Sequence, residues 1–149
     1  MNRRGKLWFI LQSIIFCAIL LAPFIERSSC PAFLRIIGLL LLISGIIVAV
    51  LGYRTLGSSH SPGIRPVEEG HLVVEGIYRF VRHPVYMGWF LATLGFELLV
   101  CSVLGVGVAI GGLIFSDLKS REEEKWLMKK YAGYGDYEQK VRRFIPWLY

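Results

Sequence analysis

The sequence predicts an all-α integral membrane protein. Four membrane-embedded helices, the third and fourth a tight hairpin, are followed by a cytoplasmic C-terminal helix. Three observations predict this. Hydrophobic residues make up 54% of the chain and charged residues 19%, with a mean hydropathy of +0.53, whereas a soluble globule carries about a quarter charged residues. Several apolar runs are long enough for a hydrocarbon core of about 30 Å. The Lys and Arg residues also fall almost wholly on one side if those runs are threaded as two hairpins. At 149 residues, the chain is expected to form a single domain, 1–149.

The basic start "MNRRGK" and the apolar run 7–25 resemble a signal peptide. The run is long enough to span, and no A-x-A cleavage pattern follows it, so it reads as the first span. "ERSSCP" is a short connection to the second span, 32–53, with Arg35 near enough to its end to snorkel. Residues 54–83 form a cytoplasmic loop. Within it "GSSHSPGIRPVEEGHLVVE" is turn-rich and polar apart from the island Leu72-Val73-Val74, too long for a simple turn and a first pointer to function.

From 85 to 115 only Glu97 is charged. One span needs about 20 residues and two need about 40, so length alone does not choose. Charge does. A single span would export Lys119, Arg121, Lys125, Lys129, Lys130, Lys140, Arg142 and Arg143, against the positive-inside tendency. A hairpin of spans 84–100 and 102–118, turning near 99–104, returns them to the cytoplasm and leaves Arg27 and Arg35 toward the far side. Both termini are then cytoplasmic, and the short loops point to a prokaryotic plasma membrane. Residues 117–131 read as a helix that leaves the membrane into the tail, 119–149, either continuing the last span or turning at Ser120. "YGDYEQKVRRFIPWLY" has the aromatic and basic mixture of a membrane–water interface.

Several motifs have bland readings. The net charge of +6 is accounted for by cytoplasmic loops, without nucleic acid. Cys17, Cys30 and Cys101 form no CxxC, and small buried hydrophobes are the expected reading, with Cys17 and Cys101 inside apolar runs; Cys30 is the one placed to face an oxidising compartment, with no evident partner. "GVGVAIGG" (105–112) follows no strand, so it predicts close helix packing and not a nucleotide fingerprint. Glu97 lies near the hairpin turn, where it would reach interfacial water. His60, His71 and His83 match no common metal-ligand spacing, so no metal is expected.

Two motifs resist such readings. In "GIYRFVRHPVY" (76–86), Pro84 suits the first turn of a helix. Topology and an aromatic belt would explain Arg79, Arg82, Tyr78 and Tyr86, but not His83. "SREEEKW" (120–126) sets three glutamates where the local trend is basic. The hairpin brings both motifs to one membrane face. There imidazole, guanidinium, phenol and carboxylate groups would meet an apolar wall, a combination suited to a ligand with a polar head and a lipid-like body.

At these residues the chain resembles the isoprenylcysteine carboxyl methyltransferases and related phospholipid methyltransferases. "LG" at 56–57, "LVVEGIYRFVRHPVYMG" at 72–88, "EEKWL" at 123–127 and "YEQKVRRFIP" at 137–146 carry the likeness. The resemblance implies a membrane methyltransferase that takes S-adenosylmethionine from the cytoplasm. By motif, its cofactor residues would be His71, Leu72, Val73, Tyr78, His83, Pro84, Val85, Tyr86 and Glu123. The family's histidine before Leu72 lies one position earlier than His71. The family's substrate-contacting arginine, four residues before the glutamate, is replaced by Lys119, which keeps the charge but loses the bidentate fork; Arg121 is the alternative cation. His83, Lys119 and Arg121 are thus the candidate catalytic residues. Three functions follow: methyl transfer to a lipophilic or lipidated acceptor among membrane lipids, N-methylation of a phospholipid amine, or a non-catalytic membrane binding or assembly protein.

Overall fold

The computed structural model describes residues 3–26, 28–61, 63–146 and 148. It holds five α-helices: α1 (Arg3–Ile25), α2 (Ala32–Leu56), α3 (Pro84–Val100), α4 (Val103–Lys130) and α5 (Tyr134–Lys140). Helices α1, α2 and α4 are long and apolar enough to cross a membrane. Helix α3 has 17 residues, about 25 Å at 1.5 Å per residue. The fourth helix runs on from the apolar segment through Lys130, which settles the choice left open for residues 117–131. Ser120 does not cap anything: its hydroxyl donates back to the Asp117 carbonyl within the helix. Arg27 and the aromatic residues Trp147 and Tyr149, which entered the topology and interface arguments, lie outside the described residues.

Helices α2 and α3 share the largest interface, and glycine builds it. Gly38, Gly45 and Gly52 recur every seven residues, as do Gly88 and Gly95. A Cβ on Gly45 would strike the Gly88 carbonyl and the Ala92 backbone, and one on Gly95 would strike the Gly38 carbonyl and Leu42. A seven-residue repeat of small residues lets two helices run close together along their length, which suits a pair that water does not drive together. The expected packing role of 105–112 holds only in part. Gly105 abuts Glu97 and Gly112 meets Ile15, while Gly107 and Gly111 face open space.

The end of the bundle away from the 57–83 loop is stitched covalently. Cys30 and Cys101 form a disulfide, with Cα atoms 5.7 Å apart. Cys101 is buried as expected, but it is the partner that Cys30 lacked in the sequence reading. Their pairing depends on the α3–α4 turn meeting the α1–α2 connection, a contact between residues 71 apart in sequence. Two hydrogen bonds reinforce it: Ser28 N–H donates to the Cys101 carbonyl, and Leu104 N–H donates to Glu26 Oε2, capping α4. Cys17 is a free thiol and is exposed, which corrects its reading as a buried residue. Glu97 does not reach water, because its residue is 0% exposed, closed over by Gly105 with no cation against it among the described residues.

Candidate active site

At the opposite end, Pro84 occupies the first turn of α3 with His83 as N-cap, as the missing proline N–H allows. The strand-like residues just before it pair with the returning tail. Val81 bridges Arg142, Arg82 N–H donates to the Arg142 carbonyl, and His83 N–H donates to the Arg143 carbonyl. The tail therefore folds back onto the site. Tyr134 (1% exposed), Tyr137 and Phe144 are buried there, and the Tyr137 hydroxyl donates to the Tyr78 carbonyl at 2.7 Å.

The three glutamates of 122–124 divide by helical position. Glu122 pairs with Lys125 at the surface. Glu124 (6% exposed) is the hub of a buried ion cluster. It accepts from Arg82 Nε at 2.9 Å, Arg143 Nη2 at 2.6 Å and His83 Nε2 at 3.0 Å. Arg82 also donates to the Glu138 and Val141 carbonyls, and Arg143 pairs with Asp117 at 3.1 Å. Burial works against the Arg143 cation, but the Glu124 and Asp117 carboxylates outweigh it and hold its pKa above the usual value. Arg82 is thus a buried structural cation and not a topology signal, whereas Arg79 is exposed. Because a carboxylate only accepts, His83 Nε2 carries the proton that bonds Glu124.

Glu123 turns the other way and accepts from the Tyr86 hydroxyl at 2.8 Å. Together they face a cavity of about 190 Å³ whose wall includes His71, Leu72, Val73, Tyr78, His83, Val85, Tyr86, Lys119 and Glu123. Burial, and behind it the Glu123 carboxylate, pushes the Tyr78 phenol well above its usual range, so it stays protonated. Eight of the nine expected cofactor residues are brought to this one cavity. Pro84 is buried behind it and shapes the helix start. Arg121 is not brought there, being exposed and paired with Asp117 at 2.8 Å. The loop 57–75 covers the cavity with Ser59, His60, Ser61 and Pro66, and α4 holds that loop down. Arg65 stacks on Trp126 at 4.4 Å, and Lys130 donates to the Val67 and Glu68 carbonyls.

A second, mainly apolar cavity of about 350 Å³ lies between α1, α3 and α4. It shares Phe9, Gln12, Tyr86, Trp89 and Lys119 with the first. At this junction Lys119, 3% exposed, donates from Nζ to Gln12 Oε1 at 2.6 Å and sits 5.4 Å from the Tyr86 ring centre. Gln12 and the residues of α1 were not among the expected site residues. A lone amide within an apolar run was the available signal.

Residues 36–129 match the model of the isoprenylcysteine carboxyl methyltransferase (ICMT) family. The chain belongs to that family. It is 35% identical over 118 residues to a protein-S-isoprenylcysteine O-methyltransferase of Saccharomyces cerevisiae, covering 76% of this chain and 49% of the relative. With its Xenopus laevis counterpart it is 30% identical over 119 residues, 77% of this chain and 41% of the relative. The chain thus spans about half the length of these curated relatives. Its fold is similar to that of the eukaryotic intramembrane Ras methyltransferase ICMT, with a TM-score of 0.71 at 23% identity, over 99% of this chain and 55% of that one. The family match supports the methyltransferase expectation from the sequence, and the structural match bears out the all-helical membrane fold.

Proposed function

We propose that this protein transfers a methyl group from S-adenosylmethionine to a carboxylate on a lipid-like or lipidated acceptor. The observation that carries the reading is the meeting of a mixed cavity, lined by Tyr78, Tyr86 and Glu123, and a mainly apolar one at the buried ammonium of Lys119. The mixed cavity suits the cofactor by its donor set: aromatic faces of Tyr78 and Tyr86 and the carboxylate of Glu123 stabilise a sulfonium cation and accept from hydroxyl or amino groups. When bound, S-adenosylmethionine supplies the electrophilic methyl. The apolar cavity takes the lipid chain, with Phe16, Phe90 and Phe115 on its wall. Lys119 holds an acceptor carboxylate at the mouth between them. Such an acceptor needs no general base, and alignment supplies much of the acceleration. That agrees with His83 Nε2 being committed to Glu124.

The disulfide supports the orientation independently of the Lys and Arg distribution. Disulfides persist in oxidising compartments, so the Cys30–Cys101 end faces away from the cytoplasm. The cofactor cavity, at the other end, then opens to the cytoplasm, with four membrane-embedded helices in a bacterial-type plasma membrane. A buried cation at the acceptor position disfavours an ammonium-bearing acceptor, and so the phospholipid amine alternative. The test is incubation of the purified protein with methyl-labelled S-adenosylmethionine and a membrane lipid extract supplemented with S-prenylated cysteine. Label released by mild base is expected. Base-stable label would transfer the reading to N- or S-methylation, and no transfer with no cofactor binding would leave a non-catalytic binding protein.

A further inference from the structure

Gln12 belongs to no motif and lies on α1, outside the residues 36–129 that carry the family match. It nevertheless lines both cavities and is the hydrogen-bond partner of Lys119 among the described residues. The orientation of its amide follows from chemistry. An ammonium only donates, so the carbamoyl oxygen must face Lys119. The Gln12 amide nitrogen, with two N–H groups, is then left at the junction without a hydrogen-bond partner among the described residues. Lys119 uses one of its three donors on Gln12. The junction therefore presents N–H donors from both residues.

The geometry points to Gln12 as a specificity-determining residue: it aims Lys119 and adds its own donors, so the junction accepts a carboxylate and rejects an ammonium-bearing lipid. This rests on the methyl-transfer reading above and adds the residue that enforces it. A carboxylate has two oxygens and about four acceptor sites, which match the donors left on Lys119 and Gln12. An acceptor with an amine head would bring only donors and a like charge. Helix α1 thereby contributes to acceptor choice, while the aromatic and carboxylate groups assigned to the cofactor come from the loop, α3 and α4.

The experiment compares the full-length wild type with Gln12→Met and Gln12→Glu. The probes are an N-acyl S-prenylcysteine as acceptor and a long-chain amine of equal length as competitor. Gln12→Met is of similar size and removes the amide; Gln12→Glu keeps the shape and places a carboxylate against Lys119. We expect the acceptor KM to rise about tenfold in Gln12→Met, as for a lost hydrogen bond to a charged group, and further in Gln12→Glu. Cofactor Kd should change far less than acceptor KM, since Gln12 only borders that cavity and is not among the aromatic and carboxylate groups assigned to the sulfonium, and the amine should compete better against Gln12→Glu. Acceptor KM within about twofold of wild type in both variants overturns the role of Gln12 while leaving the methyl-transfer reading standing. Loss of cofactor affinity parallel to the change in acceptor KM overturns it too, as a merely structural effect. A wild type inert on every carboxylate acceptor overturns both.

Discussion

Glu123→Gln and Glu124→Gln, adjacent in sequence, are expected to fail in opposite ways. Glu124 lies with its side chain 7% exposed and neutralises Arg82, itself 7% exposed, and Arg143 at 17%. Replacing it by glutamine keeps the shape and one acceptor but leaves two enclosed guanidinium groups short of a counter-charge. Removing one partner of a buried pair costs about 3–5 kcal/mol. Arg82 retains Glu138 at 3.3 Å and Arg143 retains Asp117 at 3.1 Å, which places the loss near the low end, about 3 kcal/mol. For a chain of this length that is roughly 6–12 °C in melting temperature. Among the described residues Glu123 accepts a hydrogen bond from the Tyr86 hydroxyl alone, at the wall of the cavity. Glu123→Gln should therefore shift the melting temperature by no more than about 4 °C, for a bond worth about 1 kcal/mol. It should weaken cofactor binding by about tenfold or more through loss of the carboxylate. Thermal unfolding of the detergent-purified protein by tryptophan fluorescence, with S-adenosylmethionine titration by calorimetry, separates the two. An unchanged melting temperature in Glu124→Gln with lost cofactor binding would show that the hub is a ligand group and would refute the division of roles argued above.

Further outcomes follow from other parts of the fold. Cys30→Ser and Cys101→Ser should each destabilise by up to about 4 kcal/mol, the chain-entropy value for closing a loop of this length. The double variant should be no worse than either single one, checked by melting with and without reductant. Gly45→Val should force α2 from α3 and cost at least about 1–3 kcal/mol, whereas Gly111→Val, facing open space, should melt like the wild type. Trp126→Ala removes the platform under Arg65. It should loosen the loop over the cavity and raise cofactor Kd severalfold, with acceptor KM at saturating cofactor unchanged. Lys119→Met should raise acceptor KM by about tenfold or more, by loss of a charged hydrogen bond, leaving cofactor Kd within about twofold.

Much of the site was legible because its chemistry is written locally. Pro84 marks a helix start by its own covalent structure, and the cations of 119–143 choose a hairpin without any knowledge of packing. The two glutamates are where local reading stopped. "EEE" does not say which carboxylate faces the cavity, because one residue is about 100° of helix rotation. That rotation is fixed by how α4 packs on α3 and on the returning tail. The glycines at 38, 45, 52, 88 and 95 form a seven-residue repeat that marks the closest packing, whereas in "GVGVAIGG" only Gly105 and Gly112 meet a neighbour.

The sequence by itself determined the membrane class and the helix order, and its motif resemblance named the residues that line the first cavity. The first two depend on composition and charge distribution, the last on matched motifs. Only the tertiary structure decided the Cys30–Cys101 bridge, the Glu124 ion cluster, the burial of Glu97 and the pairing of Gln12 with Lys119. Those contacts join residues between 19 and 107 positions apart or depend on helix rotation. No local pattern encodes which side chains meet once helices have chosen their facing sides.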